Sequence, residues 1–146
     1  MFKSIAIAAS ALLLVSACAQ APKSKTAAAA PTIAASEAAK ANVTASGAFV
    51  GKSNHVTTGK ASIGRIGTQW VVILEDDFTF DGAPDPHVAL GSNGYRKDAS
   101  LALLQSNNGK QVYAIPAGLD VADFNEVWIW CNKFSVPLGT ASLTLI

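Results

Sequence analysis

The run WVVIL at residues 70–74 is apolar at every position, and three of its five residues are β-branched. A run this short is typical of a strand rather than a helix, and the absence of alternation indicates that both of its faces are covered. The acidic residues 75–77 follow it directly. The sequence therefore predicts a central β-strand that lies between two layers of the fold.

The rest of the chain from Gly47 onward has the same character. Short apolar runs rich in β-branched and aromatic residues alternate with clusters of Gly, Asn, Asp and Pro, and no stretch has a sustained helical period. About eight short strands in roughly a hundred residues predict an all-β antiparallel sandwich or barrel. The candidate strands are residues 47–51, 61–66, 69–76, 86–91, 99–105, 111–115, 125–134 and 140–146.

The first 17 residues have the layout of a secretory signal peptide. Lys3 precedes an apolar core at residues 5–15, which is too short to cross a bilayer because a spanning helix needs ~20 apolar residues. No later segment is long and apolar enough to be a transmembrane helix. The cysteine at position 18 follows this leader directly. Either it is part of a lipoprotein signal, or the leader is an ordinary secretory one and the cysteine stands near its end by chance.

The end of this leader, VSAC at residues 15–18, resembles the bacterial lipobox. The resemblance implies that Cys18 is lipidated, that cleavage follows Ala17, and that acyl chains anchor the protein to the cell membrane on its extracytoplasmic side. Ala19 is not the Asp that retains many lipoproteins in the inner membrane. The resemblance therefore implies the periplasmic side of the outer membrane, if the organism is Gram-negative.

Residues 18–45 are rich in Ala and contain no aromatic residue. Such a stretch buries too little apolar surface to offset the entropy lost on ordering, so it is predicted to be a flexible tether. Ala propensity favours a short helix near residues 33–41, but no wide apolar stripe supports it. The predicted organisation is a signal peptide at 1–17, a lipidated Cys and tether at 18–45, and a β-sandwich at 46–146.

Charge and motifs narrow the function. Lys and Arg total 11 against 10 Asp and Glu, and loss of Lys3 with the leader leaves a neutral chain, so nothing favours a nucleic-acid partner. The sequence contains no P-loop, dinucleotide fingerprint, nucleophile elbow or zinc-protease motif. Because the sequence has no hydrolase or transferase motif, it does not indicate an enzyme class. At most, the chain is expected to be a redox or electron-transfer component.

Residues 127–132 carry the second cysteine. Strand alternation places Val127, Ile129 and Cys131 on one face and Trp128 and Trp130 on the other, without telling which face meets the core. If Cys18 carries lipid, Cys131 has no partner within the chain. It is then a redox-active thiol, a soft metal or haem ligand, or a site of intermolecular disulfide exchange, the alternative being a small buried hydrophobe.

The remaining candidates for a metal site are two histidines and an acidic cluster. His55, His87 and Cys131 together have the donor types of a copper or haem site, but they show no metal-ligand spacing. Residues 75–77, with Asp81 and Asp85, suggest calcium but lack the EF-hand spacing, so a solvated strand end with Asx turns is favoured.

Four blocks, in order, resemble the DM-thirteen or electron-transfer DM domain. They are GAFVGKSNHV at 47–56, LEDDF with DGAPDPHVAL at 74–90, YAIPAGLD at 113–120 and VWIWCNKFSV at 127–136. The resemblance covers about residues 46–145 and departs at Ala83 and Pro86, before His87. It implies a β-sandwich related to the DOMON haem- and sugar-binding domains, with a redox role centred on Cys131.

Two functions follow from these observations. In the first, Cys131 takes part in thiol or electron transfer with an unidentified redox or envelope protein, with haem or copper as candidate cofactors. In the second, the domain is a non-catalytic binding or adhesion module whose loops around Tyr95 and Asn107 contact an envelope partner, and Cys131 is structural. The burial of Cys131 and its distance to the histidines discriminate between the two.

Overall fold

The computed structural model describes residues 32–146, so the predicted signal peptide, Cys18 and the tether up to residue 31 lie outside the described residues. Within this range there are two 3-10 helices, Ala35–Lys40 and Val121–Asp123, and no helix is long and apolar enough to cross a membrane. The strands are β1 Thr32–Ile33, β2 Asn42–Gly51, β3 Thr57–Thr58, β4 Lys60–Ile66, β5 Gln69–Leu74, β6 Thr79–Phe80, β7 Pro86–Gly91, β8 Tyr95–Leu103, β9 Gln111–Ala114, β10 Glu126–Cys131, β11 Val136–Ser142 and β12 Thr144–Leu145.

The strands form two antiparallel sheets that share one strand. The first has the order β1-β9-β5-β4-β2, and the second continues as β2-β11-β10-β7-β8. β2 pairs with β4 through residues 42–48 and with β11 through residues 49–51, so it passes from one sheet into the other. β12 also pairs with β2, and β3 pairs with β6 apart from both sheets.

The main core lies between the two sheets and contains inward residues of both, such as Ile63 and Val72 of the first and Val88 and Ile129 of the second. The prediction of an all-β antiparallel sandwich is therefore confirmed. Each of the eight candidate strands overlaps a strand of the structure, but several bounds differ. The candidate 125–134 ends at Cys131, the candidate 140–146 divides into β11, which begins at Val136, and β12, and β8 begins at Tyr95 rather than at 99. The polar run at residues 96–98 hid this start, which pairs with Gly91 across a tight turn.

The strand β5 is covered on both faces, as its unbroken apolar run predicts. Val72 and Leu74 point into the main core, whereas Val71 and Ile73 belong to a second buried cluster on the outer face of the first sheet. Val112 of β9 joins this outer cluster. The outward side chains of β5 must therefore be buried by a segment that does not belong to the second sheet.

That cover comes from residues 32–45, which the sequence assigned to the tether. β1 pairs with β9, and the first 3-10 helix places Ala38 over the cluster with only 8% of its surface exposed. Ile33 and Val43 pack against the same cluster. The ordered domain thus begins before residue 46, because a few small apolar side chains suffice to cover a strand that is already apolar outward.

The pair Ala38 and Ala39 tests this packing, since the first is buried and the second is exposed. Ala38→Asp places a carboxylate over Val71 and Ile73 without a partner, so we expect the free energy of unfolding to fall by about 2 kcal/mol. Ala39→Asp should change it by less than about 0.5 kcal/mol. Urea denaturation of both variants measures the difference, and equal stabilities would show that the segment does not pack on β5.

Candidate functional site

The cysteine lies on β10, a strand with neighbours on both sides. β7 and β11 both pair with it, and along it Val127, Ile129 and Cys131 are buried while the two tryptophans are half-buried. The predicted alternation is confirmed, and the face that carries Cys131 is the one that meets the core.

The thiol of Cys131 lies beneath the loop of residues 82–85, which we call the covering loop. Cys131 is 1% exposed, and its Sγ–H donates to the carbonyl oxygen of Pro84 at 3.0 Å. Pro84 and Asp85 are themselves exposed. The thiol therefore contacts an exposed loop directly, although it belongs to the main core.

Asp85 holds the covering loop against the sheet. Its carbonyl oxygen accepts from the Asn132 N–H at 3.1 Å, and its carboxylate lies 2.9 Å from Nε2 of His87. Its φ is +57°, in the left-handed region that residues other than Gly seldom adopt. These contacts make the loop conformation depend on the sheet directly below it.

His87 does not share a face with the cysteine. It lies directly opposite Trp130 in the pairing of β7 with β10, and opposed residues of an antiparallel pair point to the same side. Trp130 and Cys131 are consecutive, so their side chains point to opposite faces. His87 therefore belongs to the outer face and contacts Asp85 there.

His55 has a separate partner. Its Nδ1 lies 2.9 Å from Oδ1 of Asp81, whose Oδ2 accepts from the Val56 N–H at 3.0 Å. The hydrogen bond from the Val56 N–H is the largest cause that lowers the pKa of Asp81, and the hydrogen bond with the His55 side chain is the second. Each histidine is thus engaged by its own aspartate.

The predicted copper or haem ligands are not brought together. Nowhere in residues 32–146 do three or more His, Cys, Asp or Glu side chains form a group that could hold a metal ion. His55, His87 and Cys131 lie in separate environments, since one is beside β6, one is on the outer face and one is in the core.

The acidic residues after β5 also have partners. The Nζ of Lys110 lies 2.9 Å from a carboxylate oxygen of Asp76 and 3.4 Å from one of Glu75, and Asp77 accepts from the Lys60 N–H. The ion pair with Asp76 is the largest cause that raises the pKa of Lys110. These contacts agree with a solvated strand end, the interpretation that the sequence favoured over a calcium site.

Three aromatic side chains form a row on the outer face of the second sheet. Tyr95 stacks on Trp130 with ring centres 3.9 Å apart, and Trp128 meets Trp130 edge to face at 6.5 Å. The Trp128 Nε1–H donates to Glu126, which also accepts the Gly94 N–H. Sequence reasoning missed the row, because Tyr95 was assigned to a loop and only the register of β8 brings it beside Trp130.

Tyr113 carries a polar network at the boundary between the two sheets. Its hydroxyl donates to Gln111 at 2.7 Å and accepts from the Gln105 N–H at 3.1 Å, which links the segment after β8 to β9. The residue is 1% exposed, and this burial raises its pKa to about 12. The neutral phenol is therefore the form that the folded protein accommodates.

The fold and the site together define a β-sandwich domain with one covered thiol and an aromatic row on its surface. The family model described as Electron transfer DM13 matches residues 48–143, a span that includes the covering loop, Tyr113 and Cys131. The chain therefore belongs to this electron-transfer family, as the four blocks predicted. No curated protein and no solved structure shows a significant match.

Tyr113 gives a pH prediction. Its pKa is near 10 in the unfolded chain and about 12 in the folded one, so its contribution is complete below pH 10 and is lost as the pH rises to 12. We expect the free energy of unfolding to fall over this interval by roughly 2 kcal/mol more than in Tyr113→Phe. Chemical denaturation at a series of pH values measures both curves, and parallel curves would contradict the burial of the phenol.

Proposed function

We propose that this chain is a lipid-anchored, extracytoplasmic protein whose DM13 domain takes part in redox exchange through Cys131. The observation that carries the proposal is the position of the thiol at the end of β10, in contact with the carbonyl oxygen of the exposed Pro84. Membership of a family described by electron transfer supports it. The lipobox-like residues 15–18 support the anchor.

The chemistry is thiol–disulfide exchange with a disulfide of an envelope partner. Once deprotonated, the Cys131 sulfur attacks one partner sulfur, a new S–S bond forms, and the partner's S–S bond breaks. The second partner sulfur leaves as a thiolate and takes a proton from water. The product is a mixed disulfide between Cys131 and the partner, in which the Cys131 sulfur is oxidised while the leaving partner sulfur is reduced.

The closed structure does not allow this attack, because a thiolate must reach a sulfur of another molecule. The Pro84 carbonyl occupies the hydrogen-bonding direction of the thiol, and the covering loop blocks the approach. Reaction therefore requires the covering loop to move while the two sheets stay paired. Local openings of this kind cost less free energy than unfolding of the whole domain.

A second candidate is a non-catalytic binding module in which Cys131 is a small core residue. The packing of Cys131 in the main core favours it. So does a surface cavity of about 330 Å³ beside the aromatic row, with Tyr95, Trp130 and Asn132 among its lining residues. The two candidates differ in whether the folded protein exposes the thiol.

Pro84 provides the test of loop opening. In a full chain carrying Cys18→Ser, Cys131 is the only thiol, and its modification by iodoacetamide follows its exposure. Pro84→Gly keeps the accepting carbonyl but loosens the loop, so we expect the labelling rate of the native protein to rise about twofold to fivefold. Mass spectrometry of timed samples gives this rate.

The matched control is Pro116→Gly, an exposed turn proline that follows β9. It alters the unfolded chain in the same way but leaves the covering loop unchanged. A rise in labelling with Pro84→Gly alone supports the redox proposal. Equal rates in the two variants, both set by global unfolding, would leave Cys131 as a structural residue and favour the binding module.

Cys18 provides the test of the anchor. Expressed in a bacterial host, the wild-type chain should sediment with the membrane fraction, because its acyl chains partition into the bilayer. Cys18→Ser removes the acceptor sulfur and should leave the protein in the soluble fraction, whereas Cys131→Ser should stay with the membrane. Immunoblotting of both fractions gives the result, and membrane retention of Cys18→Ser would exclude a lipid anchor at this residue.

A further inference from the structure

An apolar cavity opens at the end of the sandwich where β10 begins. It has a volume of about 530 Å³, within the ordinary range for small-molecule sites. Its walls include the side chains of Ile63, Trp70, Phe124 and Leu143. The site is distinct from the thiol, because Phe124 precedes β10 and Cys131 ends it, and this six-residue strand is about 17 Å long.

The walls of the cavity are held by the fold. Ile63 of β4 belongs to the main core and is 1% exposed. Phe124 is buried, and the N–H of Leu143 donates to the carbonyl oxygen of Asn125 at 2.8 Å, which fixes two walls against each other. Residues of this kind do not need to rearrange before a ligand enters, and this lowers the cost of binding.

Asp120 sets the charge of the cavity. Among the described residues that line it, Asp120 alone has an acidic or basic side chain. Its Oδ1 accepts from the Ala122 N–H at 3.0 Å as the cap of the second 3-10 helix, and a carboxylate has further acceptor capacity. Arg65 and Arg96 lie over the Trp70 and Phe124 rings, 5.2 and 5.6 Å from their centres, but neither arginine lines the cavity.

From this arrangement we infer that the cavity binds a small aromatic amine. The ring lies among Trp70, Phe124 and Leu143, and the ammonium group lies at the Asp120 carboxylate. Aromatic and aliphatic walls favour an apolar ring, and one carboxylate at the wall favours a cation over an anion. The inference does not depend on Cys131 or on the lipid anchor.

The test uses two probes with the same ring and opposite charge, 1-naphthylmethylamine and 1-naphthoate. The chain has three tryptophans, so a ¹⁵N-labelled sample gives three indole N–H signals in an NMR spectrum. We expect the amine to shift the Trp70 signal while those of Trp128 and Trp130 stay in place. Titration should give an affinity about fivefold higher for the amine than for the naphthoate, since the carboxylate is exposed and screened.

Two variants locate the ligand. Asp120→Asn keeps a capping side chain for the 3-10 helix but removes the charge, so the two probes should bind with equal affinity. Ala122→Trp places a large side chain at an exposed lining position and should reduce binding of the amine by more than tenfold.

Other results would overturn the inference. They are equal affinities of the two probes for the wild type, shifts at Trp128 or Trp130 instead of Trp70, unchanged binding of the amine in Ala122→Trp, or no binding of either probe at millimolar concentration. A preserved spectrum of each variant shows that the fold is intact. Since Cys131→Ser should leave the amine affinity unchanged, failure of this inference and failure of the redox proposal are distinguishable.

Discussion

The hydrogen bond from the Cys131 thiol to the Pro84 carbonyl joins the core of this domain to the covering loop at the end of β10. A thiol is a weak donor, so this bond alone does not hold the covering loop. The stronger contacts are those of Asp85 with Asn132 and His87, both of which lie on or next to the strands that carry the core. The loop and the sheet therefore define each other, and the state of the thiol depends on both.

This dependence explains why a buried sulfur is compatible with redox exchange. Full burial in a thick core would make reaction require global unfolding, whereas burial under a short loop requires only that a few hydrogen bonds open. The closed loop also shields the thiol from oxidants, since oxidation follows exposure. The aromatic row lies on the opposite face of the same strand, so a partner that contacts Trp130 would already touch the strand that bears Cys131.

Much of this arrangement is predictable from the sequence, because strand alternation is strict. The pattern of residues 127–132 separates the cysteine from the tryptophans, and the unbroken run at 70–74 requires cover on two faces. Alternation does not identify the segment that covers the outer face of β5, because that depends on pairing between segments far apart in the sequence. The segment 32–45 was assigned to a tether for this reason, although the outward Val71 and Ile73 imply that some segment must bury them.

The separation of His55, His87 and Cys131 has a similar origin. Their residue types suit a metal, but only the register of β7 against β10 shows that His87 faces away from the thiol. The apolar cavity at the other end of the sandwich was also missed, because its walls come from five separate segments and include the loop before β10. Residue types are visible in a sequence, whereas a cavity depends on distances between elements.

The central claim is that the covering loop opens while the sandwich remains folded. The most direct measurement is the labelling rate of Cys131 as a function of urea well below the unfolding transition, in the chain carrying Cys18→Ser. Opening of one loop exposes little surface, so the account predicts a rate that is nearly independent of urea in this range. A rate that rises with the full denaturant dependence of global unfolding would show that the thiol is reached only when the two sheets separate.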